Sequence, residues 1–176
     1  MSFAALNLED LAAILPAKAR LIGVDLGTKT IGLALSDVER RIATPLVTLA
    51  RTQFSRDAHA LSAQIRKFDA FALILGLPLN MDGGEGPRVQ ATRAFARNFA
   101  RIDSTLVAFW DERLSTAAVN RALIAHDVSR ARRAEVVDKM AAAYILQGAL
   151  DRLALIARAA GRDRVGGEAG NRGSEH

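Results

Sequence analysis

The sequence is 176 residues long, half of them hydrophobic, with 24 basic against 19 acidic side chains and no cysteine. That length supports one domain with a well-buried core, and the hydrophobic share excludes a disordered chain. Without thiols there are no disulfides, thiolate zinc sites or cysteine nucleophiles. The net charge of +5, carried mostly by arginine, suits a polyanionic partner and equally a solvated, arginine-rich surface.

The N-terminal stretch carries Glu9 and Asp10 and reaches its first basic residue only at Lys18. A secretory leader starts basic and continues apolar, so none is expected. The apolar runs are strand-length or broken by charge, which predicts no membrane span. A cytoplasmic protein follows.

In chain order, residues 7–15 read as a short helix, with Asn7 as N-cap, acids in its first turn and Pro16 ending it. Residues 20–26 and 30–36 are β-rich and flank Gly27-Thr28-Lys29, a hairpin pattern. A third strand is expected at 43–50, then an amphipathic helix at 55–67 with Ala58, Leu61 and Ile65 on one face. The apolar run 71–77 suits a strand covered on both sides. Pro78 closes it, and the glycine-rich loop 80–86 leads to Pro87, a favourable first helical residue. That helix should reach about Arg101, followed by a strand at 105–110 and a helix from Ser115 through Ala125. The longest helix is expected over about 133–159.

This order predicts an α/β fold with a mixed sheet, three antiparallel strands first and then two crossover strands, and helices on both faces. No internal repeat is visible. The expected organisation is an N-terminal helix and linker over 1–19, one domain over 20–160 and a disordered tail over 161–176.

Within this frame, Asp25 and Glu112 both fall at C-terminal strand ends, the edge where open α/β sheets place ligands. Asp138 lies near the start of the long helix, beside an apolar seam that includes Val137, Met140, Ala141, Tyr144 and Ile145. The small residues Ala141, Ala142 and Ala143 would let that helix approach the sheet closely. A pair of carboxylates about 4 Å apart repels by roughly 4 kcal/mol at an effective dielectric near 20. A hard divalent cation reverses that sign, and oxygen-only ligation selects Mg²⁺ or Mn²⁺, as one ion or two. Each acid also has an ordinary reading. Asp25 can cap a turn, Glu112 can pair with a surface base while Asp111 points to the other face, and Asp138 can complement a helix dipole.

Residues 23–37 (Gly-Val-Asp-Leu-Gly-Thr-Lys-Thr-Ile-Gly-Leu-Ala-Leu-Ser-Asp), 76–83 (Gly-Leu-Pro-Leu-Asn-Met-Asp-Gly), 111–116 (Asp-Glu-Arg-Leu-Ser-Thr) and 138–147 together resemble the YqgF (RuvX) family, in family order. The resemblance covers about residues 20–155. It implies a ribonuclease-H-like fold, a Mg²⁺- or Mn²⁺-dependent nuclease site and a role in maturing the 5′ end of 16S rRNA precursor in the cytoplasm. It matches Asp25, Glu112 and Asp138 to the family's acidic triad, and so favours Glu112 over Asp111. One departure is Thr30, where many members have arginine; Lys29 is left as the nearby cation.

Around these acids, Lys29 and Arg113 are candidate phosphate contacts, or internal partners of the same acids. Arg132 and Arg133, on the approach to Asp138, are further candidates for substrate binding. Arg93, Arg97 and Arg101 recur at i+4, as a backbone-tracking stripe or a solvated face. His59 and His126 lack metal-ligand spacing, and Trp110 and Tyr144 read as core.

The leading expectation is an endonuclease acting on structured precursor RNA. A Holliday junction resolvase, cutting branched DNA as a homodimer, is the alternative within that class. A non-catalytic nucleic-acid-binding module in transcription or ribosome assembly is a second class. An ATP-binding reading of Asp25-Leu26-Gly27-Thr28 is disfavoured, because the chain offers no second phosphate turn. Neither polymer preference nor a choice between monomer and homodimer follows from the sequence.

Overall fold

The computed structural model describes residues 3–114 and 130–168. Helix α1 (Leu8–Ile14) precedes the strands β1 (Arg20–Leu26), β2 (Thr30–Ser36) and β3 (Ala43–Ala50). Helix α2 (Phe54–Phe68), β4 (Ala70–Leu77), α3 (Pro87–Phe99) and β5 (Leu106–Asp111) follow, then a single 3₁₀ turn at Glu112–Leu114. Helix α4 (Arg130–Glu168) completes the described chain.

The sheet order is β3-β2-β1-β4-β5. The pairs β1–β2 and β2–β3 are antiparallel, whereas β1–β4 and β4–β5 are parallel. This is the expected mixed sheet, three antiparallel strands followed by two crossover strands. Successive strand side chains point to opposite faces, and each face has its own core. Leu21, Ala34, Ala72, Ile74, Ala108 and Trp110 pack with Ala142, Ile145, Leu146 and Leu150 of α4. Ile22, Val24, Leu33, Leu73, Leu75 and Val107 pack with Leu61, Phe95 and Phe99 of α2 and α3. Fully burying each Leu, Ile or Phe contributes about 1.5–3 kcal/mol.

Helix α4 runs unusually close to the sheet. A Cβ at Gly23 would lie 2.6 Å from the Leu146 Cβ and 2.7 Å from the Ala142 carbonyl oxygen. At Gly32 a Cβ would run into the Asp138 backbone carbonyl and lie 2.8 Å from the Lys139 nitrogen. Glycine in the strands and alanine in the helix thus set the distance at which Asp138 is carried over the sheet.

The N-terminal segment closes the β5 side. The Leu6 amide donates to the Val107 carbonyl at 2.9 Å, and Leu6 bridges Ala108 in parallel register. Leu8 and Leu11 are buried in the α4-side core, and Arg152 donates to Glu9 at 2.8 Å. An otherwise open edge strand is covered in this way.

Helix α4 continues past residue 161 to Glu168. Gly161 is exposed with nothing near its missing Cβ, so it costs the helix only its propensity, about 1 kcal/mol, against an established helix on which propagation is cheap. Val136–Arg162 is long and apolar enough to cross a membrane by length and composition alone, and Ala142, Ile145, Leu146, Ala149 and Leu150 within it are buried against the sheet. The expected helix from Ser115 to Ala125, His126 and the last eight residues lie outside the described residues.

Candidate active site

Strand β1 ends in Leu26, and Gly27 starts the turn to β2. The Gly27 amide donates to the Thr30 carbonyl at 2.9 Å, which closes the turn. Arg51, just after β3, braces it from outside: its guanidinium donates to the Gly27 carbonyl at 2.7 Å, and its amide donates to the Lys29 carbonyl at 2.9 Å. The register pairs Asp25 with Gly32, so Asp25 points to the α4 face beside the strand residue against which the Asp138 backbone packs.

Asp25 is only 4% exposed and Glu112 only 6%. Burial of two carboxylates is costly unless cations or hydrogen-bond donors compensate. Glu112 lies immediately beyond β5, and its side chain leans over Gly76 of β4, where a Cβ would stand 2.5 Å from Oε1. The pairing of Val24 with Leu75 puts Gly76 level with Asp25 on the neighbouring strand. Asp138 arrives from α4, and the Thr30 hydroxyl donates to its Oδ2. Asp25 and Asp138 line one cleft of about 470 Å³ with Gly27, Thr28, Lys29, Thr30 and Arg88.

Asp25 and Asp138 therefore share a cleft, and Glu112 stands one strand away, over Gly76. Among the described residues, no three acidic or histidine side chains form a ready-made metal cluster. The donor set nevertheless suits a hard divalent ion, because every available ligand is a carboxylate or hydroxyl oxygen and two of the acids are already desolvated.

The flanking cations divide clearly. Arg113 turns to Asp111 at 2.7 Å, and that guanidinium holds the Asp111 carboxyl below its ordinary value of 3.8 while Asp111 raises Arg113. The pairing settles the neighbouring acids: Asp111 is engaged at the surface, and Glu112 is the buried one. Arg93 is held by Glu85 at 2.5 Å and lies over the Phe109 ring, so this member of the arginine stripe is committed within the chain. Lys29 lines the cleft. Arg132 and Arg133 fall in the first turn of α4, and their side chains lie outside the described residues. His59 bonds the Ser55 carbonyl at 2.6 Å within its own helix, away from these acids.

Sequence reasoning missed Arg88 and the role of Thr30. Arg88 had a readable signal in its place just after Pro87 at a helix start, but nothing local said which way that helix faced. Thr30 was legible only as a departure from a family pattern.

Residues 19–152 match the model of the RuvX family, described as Holliday junction resolvase. A protein of Methylocella silvestris named "Putative pre-16S rRNA nuclease" is 68% identical over 148 residues, covering 84% of this chain and 92% of that protein. One of the same name from Beijerinckia indica is 61% identical over 163 residues, covering 93% of this chain and 99% of that protein. Among solved structures, Thermus thermophilus RuvC in complex with a Holliday junction substrate has a TM-score of 0.49 and 14% identity, covering 77% of this chain and 96% of that one. The family match spans the whole sheet, the turn after β1, Glu112 and the Asp138 segment of α4, and on that span the chain belongs to the RuvX family.

Proposed function

We propose that the chain is a divalent-metal-dependent endonuclease that hydrolyses phosphodiester bonds, with Asp25, Glu112 and Asp138 as its catalytic and metal-holding carboxylates. The observation that carries this reading is the placement of two nearly inaccessible carboxylates at the C-terminal ends of β1 and β5, with Glu112 reaching over β4 between them, and of a third supplied by a helix packed on Gly32. Such a collection of oxygens suits Mg²⁺ or Mn²⁺, as one ion or two. When bound, the ion supplies charge neutralisation at the phosphoryl oxygens and lowers the pKa of a water.

The chain's own residues contribute orientation and charge. Thr30 holds one carboxylate oxygen of Asp138, a residue that lines the cleft. Lys29, on a turn braced by Arg51, places a cation where a phosphate must approach two acids. Without positive charge on that side, the carboxylates would repel the substrate.

The substrate we favour is the 5′ end of 16S rRNA precursor, processed in the cytoplasm; the names of the close relatives support it. The family's description supports a second reading, resolution of four-way DNA junctions. That activity needs two symmetrically placed sites, and therefore a homodimer. Cleavage of labelled precursor rRNA and of a four-way junction, with Mg²⁺, Mn²⁺ or chelator, tests both. Metal-dependent cutting that is lost in Asp25→Asn supports the nuclease, and the preferred polymer selects the substrate. Binding of either polymer with no cutting by the wild type would overturn it in favour of a non-catalytic binding module.

A further inference from the structure

The cleft that Asp25 lines carries a second cation besides Lys29. Arg88, the second residue of α3, lines it together with the turn that carries Thr28 and Lys29. Pro87 occupies the first helical position and Gly86 caps the helix without a side chain, so the helix starts with no acid in its first turn. The preceding loop is internally tied: Gly83 N–H donates to the Asn80 carbonyl at 2.8 Å and Asn80 N–H to the Gly84 carbonyl at 3.0 Å. Its only glutamate, Glu85, is turned onto Arg93.

Arg88 differs from its neighbours in what it touches. Arg93, Arg113 and Arg51 are held by Glu85, Asp111 and the Gly27 carbonyl. Among the described residues, neither Arg88 nor Lys29 is in an ion pair. Arg88 is exposed, and among the described residues no side-chain hydrogen bond holds its guanidinium; its backbone carbonyl accepts from the Thr92 hydroxyl at 2.9 Å. Two cations thus line one cleft together with the Asp25 and Asp138 carboxylates. A guanidinium is a fork suited to two phosphate oxygens, and an ammonium is a compact point charge.

We propose that Arg88 and Lys29 form a phosphate-binding subsite in the cleft, which grips the nucleic-acid backbone next to the bond that the carboxylates address. This rests on the nuclease reading for its substrate but adds a residue and a contact to it. Arg88 is a substrate-binding residue here and has no part in the proton transfers.

The test is binding, measured apart from cutting. Fluorescence anisotropy of a labelled stem-loop RNA and a labelled four-way DNA junction is followed with the full chain in chelator, between 50 and 200 mM salt (roughly the range over which phosphate contacts are read). Arg88→Ala is compared with wild type, with Arg88→Lys, and with Arg158→Ala, which removes an equal charge from an exposed position far along α4. Loss of one phosphate contact predicts affinity about 5–10-fold weaker and a salt slope smaller by about 1 in Arg88→Ala alone. Arg88→Lys, which keeps the charge, should keep the slope. An Arg88→Ala affinity and slope equal to wild type, an equal loss in Arg158→Ala, or no wild-type binding at the lowest salt would each overturn the subsite. Failure of the wild type to cut with metal counts against the nuclease reading only, because the binding comparison does not depend on it.

Discussion

Gly76 and Glu112 meet across the β4–β5 pair: the space that a Cβ on residue 76 would fill is taken by the Glu112 carboxylate, 2.5 Å away, and by Ile145 Cδ1 at the same distance. Both are side-chain atoms; Ile145 is fully buried, and its Cγ1 would also lie only 3.1 Å away. At Gly32, by contrast, the added atom meets the α4 backbone at Asp138 and Lys139. The two substitutions should therefore fail in different ways. Gly76→Ala meets side chains only, displacing Glu112 and crowding Ile145, so cleavage should fall at least 10-fold while the melting temperature falls less than in Gly32→Ala. Gly32→Ala overpacks the contact that seats α4, at about 1–3 kcal/mol, which lowers the melting temperature by roughly 3–10 °C for a chain of this size. Thermal melts beside initial cleavage rates check the pair. A Gly76→Ala protein that melts early and cuts normally would contradict the account.

Metal binding should be visible without any substrate. A ligand that binds only the folded state adds about 2.7 kcal/mol at a hundred times its Kd, or roughly 5–10 °C here. Mn²⁺ should raise the wild-type melting temperature by that order, and Asp25→Asn or Glu112→Gln should abolish most of the rise. Equal shifts in wild type and both variants would place the ion elsewhere.

Most of the fold was legible because its signals are local. The bounds of β1, β2 and β3 follow from β-rich runs set off by turns, and Asn7 caps α1 by accepting from the Asp10 amide at 2.6 Å, as its residue type suggests. The acids at 25 and 112 could be placed at strand ends for the same reason. What was not legible depends on long-range packing. The Asp111–Arg113 pair consumes a cation expected to face substrate, and Arg88 enters the cleft only because the crossover sets α3 beside the β1–β2 turn. The extension of α4 past Gly161 was hidden because a glycine is a weak stop when the helix before it is already held by a sheet.

The Asp111–Arg113 pair makes an acid-sensitive brace at the end of β5. Arg113 depresses the Asp111 carboxyl chiefly through their hydrogen bond. A depressed carboxyl contributes stability that is fully present above its unfolded value, near 3.8. That contribution is lost as pH falls through the lower folded value. Arg113→Gln should therefore flatten part of the melting-temperature curve below pH 4 (roughly the unfolded carboxyl value) and leave it unchanged near neutrality apart from a small offset that salt reduces. Identical acid limbs in the two proteins would remove the pair from the pH response.

The Thr30 hydroxyl ties the β1–β2 turn to Asp138, and Asp138 itself is carried by a helix whose closest approach is at Gly32. The backbone contact sets where the carboxylate stands, and the hydroxyl sets how it is turned. Thr30→Val keeps the branched shape and removes the donor, so it should leave the strand intact while releasing one oxygen of Asp138. Loss of orientation in one of three acids should reduce kcat about 10-fold, because small misplacements of reacting groups are costly. It should also shrink the Mn²⁺-induced rise in melting temperature. Thr30→Ser restores a donor at the same atom and should recover both readouts. If Thr30→Ser is as impaired as Thr30→Val, the methyl group's packing matters and the hydroxyl does not orient Asp138.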